Sequence, residues 1–412
     1  MKLTYNSQLE VLKYRDFKMF VWGRLCYITA LRMAFTAVGY LVYKITQSKL
    51  QLGYIGLSEV VPAIGLALYA GVVVDKSNKR KLILQAEVMY LLISIATTVI
   101  VHGYVKEWLS PQAIIPLLLS MMFLGGIVRA YNGPAQNAII AQLVPKQYLV
   151  MASTISSIVW LTGAVIGPVL SGLLLYYTNA IICFGVVTGL VTISILFKWH
   201  ISSTEVVFTK AITNWAAIKE GVQFVYRTKI ILGALCLDLF AVLFGGAVAL
   251  LPVYAQDILH VDALGLGWLN SAEYIGSFVI MILLLLVPIR RNQGIKLLWA
   301  VTGFGVCTIL FAISTHFWVS MAALLAIGIF DGVSVIIRGN IMQLYTPNEL
   351  RGRVSSVNSM FINSSNEIGQ MESGIAATVM GTSTSVVFGG TITLIVVALV
   401  WRYAPSLKKL SY

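Results

Sequence analysis

Twelve stretches of about 20 mainly apolar residues follow one another along this chain, and no other feature limits its fold so severely. They run over 17–43, 52–74, 82–102, 113–140, 149–175, 178–198, 230–254, 265–288, 295–314, 317–343, 353–379 and 384–404. A helix rises about 1.5 Å per residue, so each stretch is long enough to cross the roughly 30 Å hydrocarbon layer of a bilayer. That layer offers no water to backbone N–H and C=O groups, and a helix satisfies its own. Of 412 residues, 58% are apolar and 11% charged, and the mean hydropathy is +0.86. A soluble domain carries about 25% charged residues and has no place to hide this much apolar surface. The expected class is an all-α membrane protein with twelve transmembrane helices.

Lys and Arg positions orient the spans. With both termini cytoplasmic, the inner segments collect Lys2, Lys13, Arg15 and Lys18, then Lys76, Lys79, Arg80 and Lys81, then Lys198, Lys210, Lys219, Arg227 and Lys229, and finally Arg402, Lys408 and Lys409. The outer loops keep only Lys44, Lys49 and Lys106. This asymmetry absorbs the net charge of +13 without a nucleic-acid partner. The polar first eighteen residues and the long run after them do not fit a cleavable signal peptide, so the first span is expected to insert the chain. Connections are short except 199–229. That polar link separates an N-terminal six-helix bundle over 1–198 from a C-terminal one over 230–412. Within it Trp215, Ile218, Val222 and Val225 recur at helical spacing, as in an amphipathic helix lying on the cytoplasmic membrane face.

The two halves repeat. Gly53 and Glu59 of the second span recur as Gly267 and Glu273 in the eighth. Pro145, Ser153-Thr154, Ile166-Gly167 and Ser171-Gly172 recur at equal spacing as Pro347, Ser355-Ser356, Ile368-Gly369 and Ser373-Gly374. Two parallel, pseudo-symmetric six-helix bundles explain this, and such repeats mark secondary transporters.

After the second span stands Gly71-Val-Val-Val-Asp75-Lys76-Ser77-Asn78-Lys79-Arg80. A glycine admits a close helix neighbour, and an aspartate at the membrane edge suits the positive end of another helix. The segment resembles the loop signature G-x-x-x-D-[RK]-x-G-[RK]-[RK] of the major facilitator superfamily, with Asn78 at the usual glycine. Asparagine also tolerates a left-handed turn. The resemblance implies the twelve-helix major facilitator fold and a conformational latch of Gly71, Asp75, Lys76, Lys79 and Arg80 between the second and eleventh helices. The matching loop of the second half, Ile289-Arg290-Arg291-Asn292, lacks the aspartate.

The fifth span holds Gly163, Gly167, Pro168, Ser171 and Gly172. Small residues at this spacing allow close packing, and the proline kinks the helix. The set resembles the antiporter motif G-x-x-x-G-P-x-x-G-G, which implies an exporter. Arg129-Ala-Tyr-Asn-Gly-Pro134, Leu250-Leu-Pro-Val-Tyr254 and the run from Thr346 to Gly374 are similar to the enterobactin-exporter-like branch, which also holds drug–proton antiporters.

An ionisable group at bilayer depth costs at least about 2.5–3.5 kcal/mol, so each invites a functional reading. Arg24 and Arg32 lie in the first span, Glu59 in the second, Arg129 in the fourth, Asp238 in the seventh and Glu273 in the eighth. Asp331 and Arg338 lie in the tenth and Glu367 and Glu372 in the eleventh. Helices 1, 4, 7 and 10 line the central cavity in the family, so the resemblance places Arg32, Arg129, Asp238, Asp331 and Arg338 at a substrate cavity. Arg32 and Arg129 suit an anionic or oxygen-rich substrate. Burial disfavours a charged carboxylate and a nearby arginine favours it, which lets position tune a proton carrier. Asp331 and Glu367 lead as proton sites, followed by Asp238, Glu59 and Glu273. Static bridges between these carboxylates and arginines are the plain structural alternative. Aromatic residues such as Trp22, Tyr27, Tyr131 and Trp160 suit a planar ligand or ordinary packing equally.

Other function classes find little support. There is no G-x-x-x-x-G-K-[ST] loop for nucleotide. No Ser/His/Asp set points to an enzyme, and a membrane-embedded enzyme or scaffold is disfavoured. Cys26, Cys183, Cys236 and Cys307 all fall in apolar runs as buried thiols, with no metal-ligand spacing and no cofactor expected. The expected function is proton-coupled export of a siderophore or amphipathic drug-like molecule. Lysolipid flipping and siderophore uptake are the alternatives. A monomer in a bacterial inner membrane, contacting lipid and a small-molecule substrate, completes the expectation.

Overall fold

The computed structural model describes residues 10–202, 215–245, 247–287, 289, 291–347, 350–408 and 410. Among them are thirteen helices of more than one turn or two, and no strand. We number them α1 (Arg15–Thr46), α2 (Lys49–Lys76), α3 (Lys79–Val105), α4 (Pro111–Leu143), α5 (Leu149–Tyr177), α6 (Ala180–Trp199) and α7 (Trp215–Arg227). Then come α8 (Lys229–Phe244), α9 (Ala263–Leu286), α10 (Gln293–Ile313), α11 (Phe317–Tyr345), α12 (Arg351–Met380) and α13 (Thr382–Tyr403). Eleven candidate spans among the described residues are long and apolar enough to cross a membrane. The remaining expected span, 353–379, is present as α12. Its 30 residues are long enough, but Ser, Asn, Gln and Glu are so frequent along it that it falls short of the apolar requirement.

The chain forms two compact units. One comprises Met1–Leu41 and Val61–Ala211, the other Val42–Val60 and Ile212–Tyr412. Most of each unit is one half of the sequence repeat, but the end of α1 and the start of α2 belong to the second unit. There Gly53 meets the Met371 backbone of α12, Gly56 meets Gln370, and Gly374 meets Gly53 and the Lys49 carbonyl. The Tyr43 hydroxyl donates to Asp257 in the same unit.

Lipid tails are as apolar as leucine, so tight packing of small residues, rather than escape from water, holds such helices together. In the first unit, a Cβ on Gly167 would lie 2.7 Å from the Thr29 carbonyl oxygen, and one on Gly163 would lie 2.9 Å from Ile28. The antiporter-like glycines thus seat α5 directly on α1. In the second unit Gly276 and Gly328 join α9 to α11, and Gly389 of α13 rests on the Phe244 carbonyl of α8. Near the basic end of the first unit, Phe17, Phe20, Val74, Ile83, Ile139, Leu143, Ala152 and Ile201 form a buried cluster.

Helix α8 stops at Phe244, and Gly245 ends it. The chain continues as a 3-10 turn (Ala247–Leu250), a short helical turn and a π turn (Tyr254–Ile258). Such irregular backbone at membrane depth is tolerated only where protein or a water-lined cavity covers it. The amphipathic helix of the link is α7. It packs against α8 and α12, with Val225 buried, so part of its apolar face is covered by protein rather than lipid. The side chains of Trp215 and Ile218 lie outside the described residues.

The loop between α2 and α3 corrects one expectation. Asn78 does not adopt a left-handed turn. Its φ is −65° and its side chain accepts a hydrogen bond from the Lys81 N–H at 3.0 Å, capping α3. The left-handed asparagine is Asn292 in the matching loop of the second half, at φ 55°.

Candidate functional site

The loop signature folds onto helix ends. The last carbonyls of α2 have no intrahelical partner. The buried Lys79 ammonium donates to the Val74 and Ser77 carbonyls there, and Arg80 donates to the Trp199 carbonyl at the end of α6. Lys76 is exposed in the last turn of α2. Gly71 was expected to admit a close neighbour, yet a Cβ there would meet nothing within 4 Å. The side chain of Asp75 lies outside the described residues.

In α5, Pro168, Ser171 and Gly172 are buried with Gly163 and Gly167, and the Ser171 hydroxyl lies 3.7 Å from the Cys183 thiol of α6. The close seat at Gly167 sets Arg32 of α1 beside α5. The Arg32 guanidinium lies 5.0 Å from the centre of the Trp160 ring. Half-buried Arg129 is on α4 of the same unit.

The second unit brings three of the expected residues together. Arg338 of α11 forms an ion pair with Asp238 of α8, and its Nη2 lies 3.7 Å from Asp331 Oδ1. Ser334 lies four positions before Arg338, and its carbonyl accepts from Arg338 Nε at 3.3 Å. Asp331 sits two helical turns before Arg338, on the same face. Asp238 and Asp331 line a small pocket with Ala241, Val242, Val301, Phe304, Phe330 and Ser334, just before the break in α8. With both carboxylates ionised, the trio carries one net negative charge. One proton makes it neutral without leaving the arginine unpaired.

The other proton candidates are dispersed. Glu59 of α2 is buried and Glu273 of α9 is half-buried. The side chain of Glu367 lies outside the described residues. Glu372 is half-buried on α12.

Sequence reasoning passes over a second centre. In the first unit Glu87 of α3 pairs with Lys198 of α6. Ser194 Oγ lies 2.8 Å from Glu87 Oε2, and Gln136 Nε2 of α4 lies 3.3 Å from Oε1. Arg24 of α1 is buried beside them and donates to Asn137 Oδ1 at 3.4 Å. Glu87 meets the same test of intramembrane charge that singles out Glu59. Lys198 escapes it because, at the penultimate position of α6, it counts as a loop charge that orients the chain.

By position in the sequence, the charged residues six or more places inside the ends of the membrane-spanning segments divide sharply. The first unit has Arg24, Arg32 and Arg129 against Glu87. The second has Glu59, Asp238, Glu273, Asp331, Glu367 and Glu372 against Arg338.

Comparison with known proteins places this architecture. A family model described as Major Facilitator Superfamily matches residues 20–370. The chain is 24% identical over 270 residues to the uncharacterized MFS-type transporter YjbB of Bacillus subtilis (strain 168), covering 63% of each. It is 25% identical over 224 residues to the uncharacterized MFS-type transporter YfiS of the same organism, covering 51% of this chain and 50% of that one. These matches thus span less than two thirds of either relative. The crystal structure of a D-xylose–proton symporter shares the fold with a TM-score of 0.74 at 13% identity, covering 97% of this chain and 100% of that one. The nucleoside transporter NupG gives 0.71 at 12% identity, covering 94% and 99%. At such identity the likeness is one of fold. Many apolar helices with charges held inside them define a multi-pass membrane protein of transporter type. The chain belongs to the major facilitator superfamily, a family of transporters rather than enzymes.

Proposed function

We propose that the protein is a secondary-active, proton-coupled exporter of a small molecule, working by alternating access in a bacterial inner membrane with both termini cytoplasmic. The observation that carries this reading is the trio Asp238–Arg338–Asp331, in which a buried ion pair meets a half-buried second carboxylate. A coupling site needs a carboxylate that gains and loses a proton at modest cost to its surroundings. Two acids sharing one arginine meet that need, since the arginine keeps a carboxylate partner in either state. Asp331 is the proton carrier and Asp238 its fixed partner.

The substrate is an anionic or oxygen-rich molecule of siderophore or amphipathic drug type. The cationic interior of the first unit supports this, with Arg32 set against Trp160 as a charged and planar surface. Export rather than uptake rests on the antiporter-like segment from Gly163 to Gly172, and Asp75 serves as the latch. The chain acts as a monomer within the lipid, with the proton as its coupling ion and no cofactor.

Transport by purified protein in proteoliposomes tests the reading. A catecholate siderophore should move faster when an inward proton gradient is imposed, and Asp331→Asn should abolish that response. Transport indifferent to the gradient in the unaltered protein rejects proton coupling.

A further inference from the structure

The Glu87–Lys198 pair is the most deeply buried ion pair among the described residues, with side chains 0% and 1% exposed. Glu87 lies eight residues into α3, about 12 Å along its axis from the end at Lys79. A buried ion pair is a weak source of stability, because apolar side chains of similar volume generally do as well or better. Its retention inside four packed helices calls for another reason.

The surroundings fit two protonation states of Glu87. The Ser194 hydroxyl lies 2.8 Å from Glu87 Oε2 and also 2.8 Å from the Gly23 carbonyl oxygen of α1. A hydroxyl has one hydrogen and accepting lone pairs. When Glu87 is ionised, Ser194 donates to Oε2. When Oε2 carries a proton, the acid O–H donates to Ser194 Oγ and the hydroxyl turns to donate to Gly23. Neither state strands the serine.

Lys198 has a second partner as well. Its Nζ lies 5.2 Å from the centre of the Tyr27 ring. An ammonium over a desolvated aromatic face is held by the ring quadrupole, so the cation keeps an attractive contact when the carboxylate loses its charge. Gln136 donates to Oε1 in both states. One turn along α4 from Gln136, Asn132 is 1% exposed and neither of its amide atoms has a hydrogen-bond partner. Buried polar groups are rarely left so, and Asn132 offers an unused donor and acceptor on the face that carries Gln136. Arg24, Cys26 and Tyr27, all from α1, are the other titratable groups within electrostatic reach or contact of the pair.

We propose that Glu87 is a proton-binding site of the first unit, distinct from the Asp238–Arg338–Asp331 trio, which takes a solvent proton onto Oε2 and thereby passes Lys198 from the carboxylate to the Tyr27 ring. The step is a single protonation: one O–H bond forms and the pair goes from neutral to singly positive. It needs no transported molecule, so it stands or falls apart from the transport reading.

Infrared difference spectra of the full chain in lipid nanodiscs, with the bath titrated from pH about 4 to about 9, test it. A carboxylic-acid C=O band should titrate in the unaltered protein, vanish in Glu87→Gln and persist in Asp331→Asn. Ser194→Ala keeps both charges and should retain the band with a shifted midpoint. It also keeps the test decisive if Glu87→Gln does not fold. A band pattern identical in Glu87→Gln and the unaltered protein overturns the proposal, as does an unmoved midpoint in Ser194→Ala.

Discussion

The two units share a repeat and differ in the charge they hold inside their helices. Among the described side chains the first is cationic, with Arg24, Arg32 and Arg129 against Glu87, while the second is anionic, with Glu59, Asp238, Glu273, Asp331 and Glu372 against Arg338. The buried ion pairs among the described residues occupy unrelated places: Glu87–Lys198 joins α3 with α6 in the first unit, and Asp238–Arg338 joins α8 with α11 in the second. A duplicated scaffold has therefore kept its helix packing and redistributed its chemistry. The packing residues repeat as Gly167 and Gly369, one on α1 and the other on the Val242 and Leu243 carbonyls of α8. The charged residues do not repeat, apart from Glu59 and Glu273.

Removing the interior cation Arg338 of the second unit should have the largest effect. Arg338→Met leaves the buried Asp238 beside Asp331 without a counter-charge, and breaking a buried pair such as Asp238–Arg338 in this way costs about 3–5 kcal/mol. A large drop in melting temperature in detergent is expected, with partial recovery when Asp238→Asn is added. If Arg338→Met melts like the unaltered protein, the trio is not an interdependent unit.

Next in size is the glycine packing of the first unit. Gly167→Leu forces atoms into the 2.7 Å gap to Thr29 and Arg32 of α1, and such overpacking typically costs about 1–3 kcal/mol. Gly71→Leu meets open space and should leave the melting temperature unchanged, so the two variants separate a packed glycine from a free one. Equal effects would contradict the geometry.

The asparagines that open α3 and α10 sharpen the contrast between the halves at smaller scale. Asn78→Ala loses a helix cap worth about 1 kcal/mol. Asn292→Gly relieves a left-handed backbone and should be neutral or stabilising by up to about 1 kcal/mol. Thermal melts of both variants check the signs, and a destabilised Asn292→Gly would show that the side chain has a separate duty.

Much of the fold is written in the periodic apolar runs, because span length and basic loops depend on local composition. The break of α8 is harder to see. Gly245 and Gly246 sit in an apolar stretch, and only the contact of Gly389 with the Phe244 carbonyl shows how closely α13 approaches there. The polar α12 is legible as a helix through its repeat with α5, although hydropathy alone does not rank it with the other spans. Asp238, Asp331 and Arg338 stand out as charges in apolar surroundings, and chain folding supplies the fact that they touch. The Glu87–Lys198 centre is hidden for a different reason: a lysine at a helix end is expected to reach water, and here it turns inward to a carboxylate on another helix. Asn78 shows the limit of matching a motif by residue type, since the same asparagine suits a left-handed turn and a helix cap, and only backbone geometry chooses.

The central claim is that the anionic second unit couples protons through Asp331 while the cationic first unit holds the substrate. Its most direct test compares proteoliposomes containing the unaltered protein, Asp331→Asn or Arg32→Gln, each assayed for catecholate siderophore transport with and without an imposed proton gradient. The account predicts that Asp331→Asn loses acceleration by the gradient yet still exchanges siderophore across the membrane, whereas Arg32→Gln keeps the acceleration and needs more siderophore to reach half its maximal rate. If Asp331→Asn responds to the gradient as the unaltered protein does, the proposed division of labour is wrong.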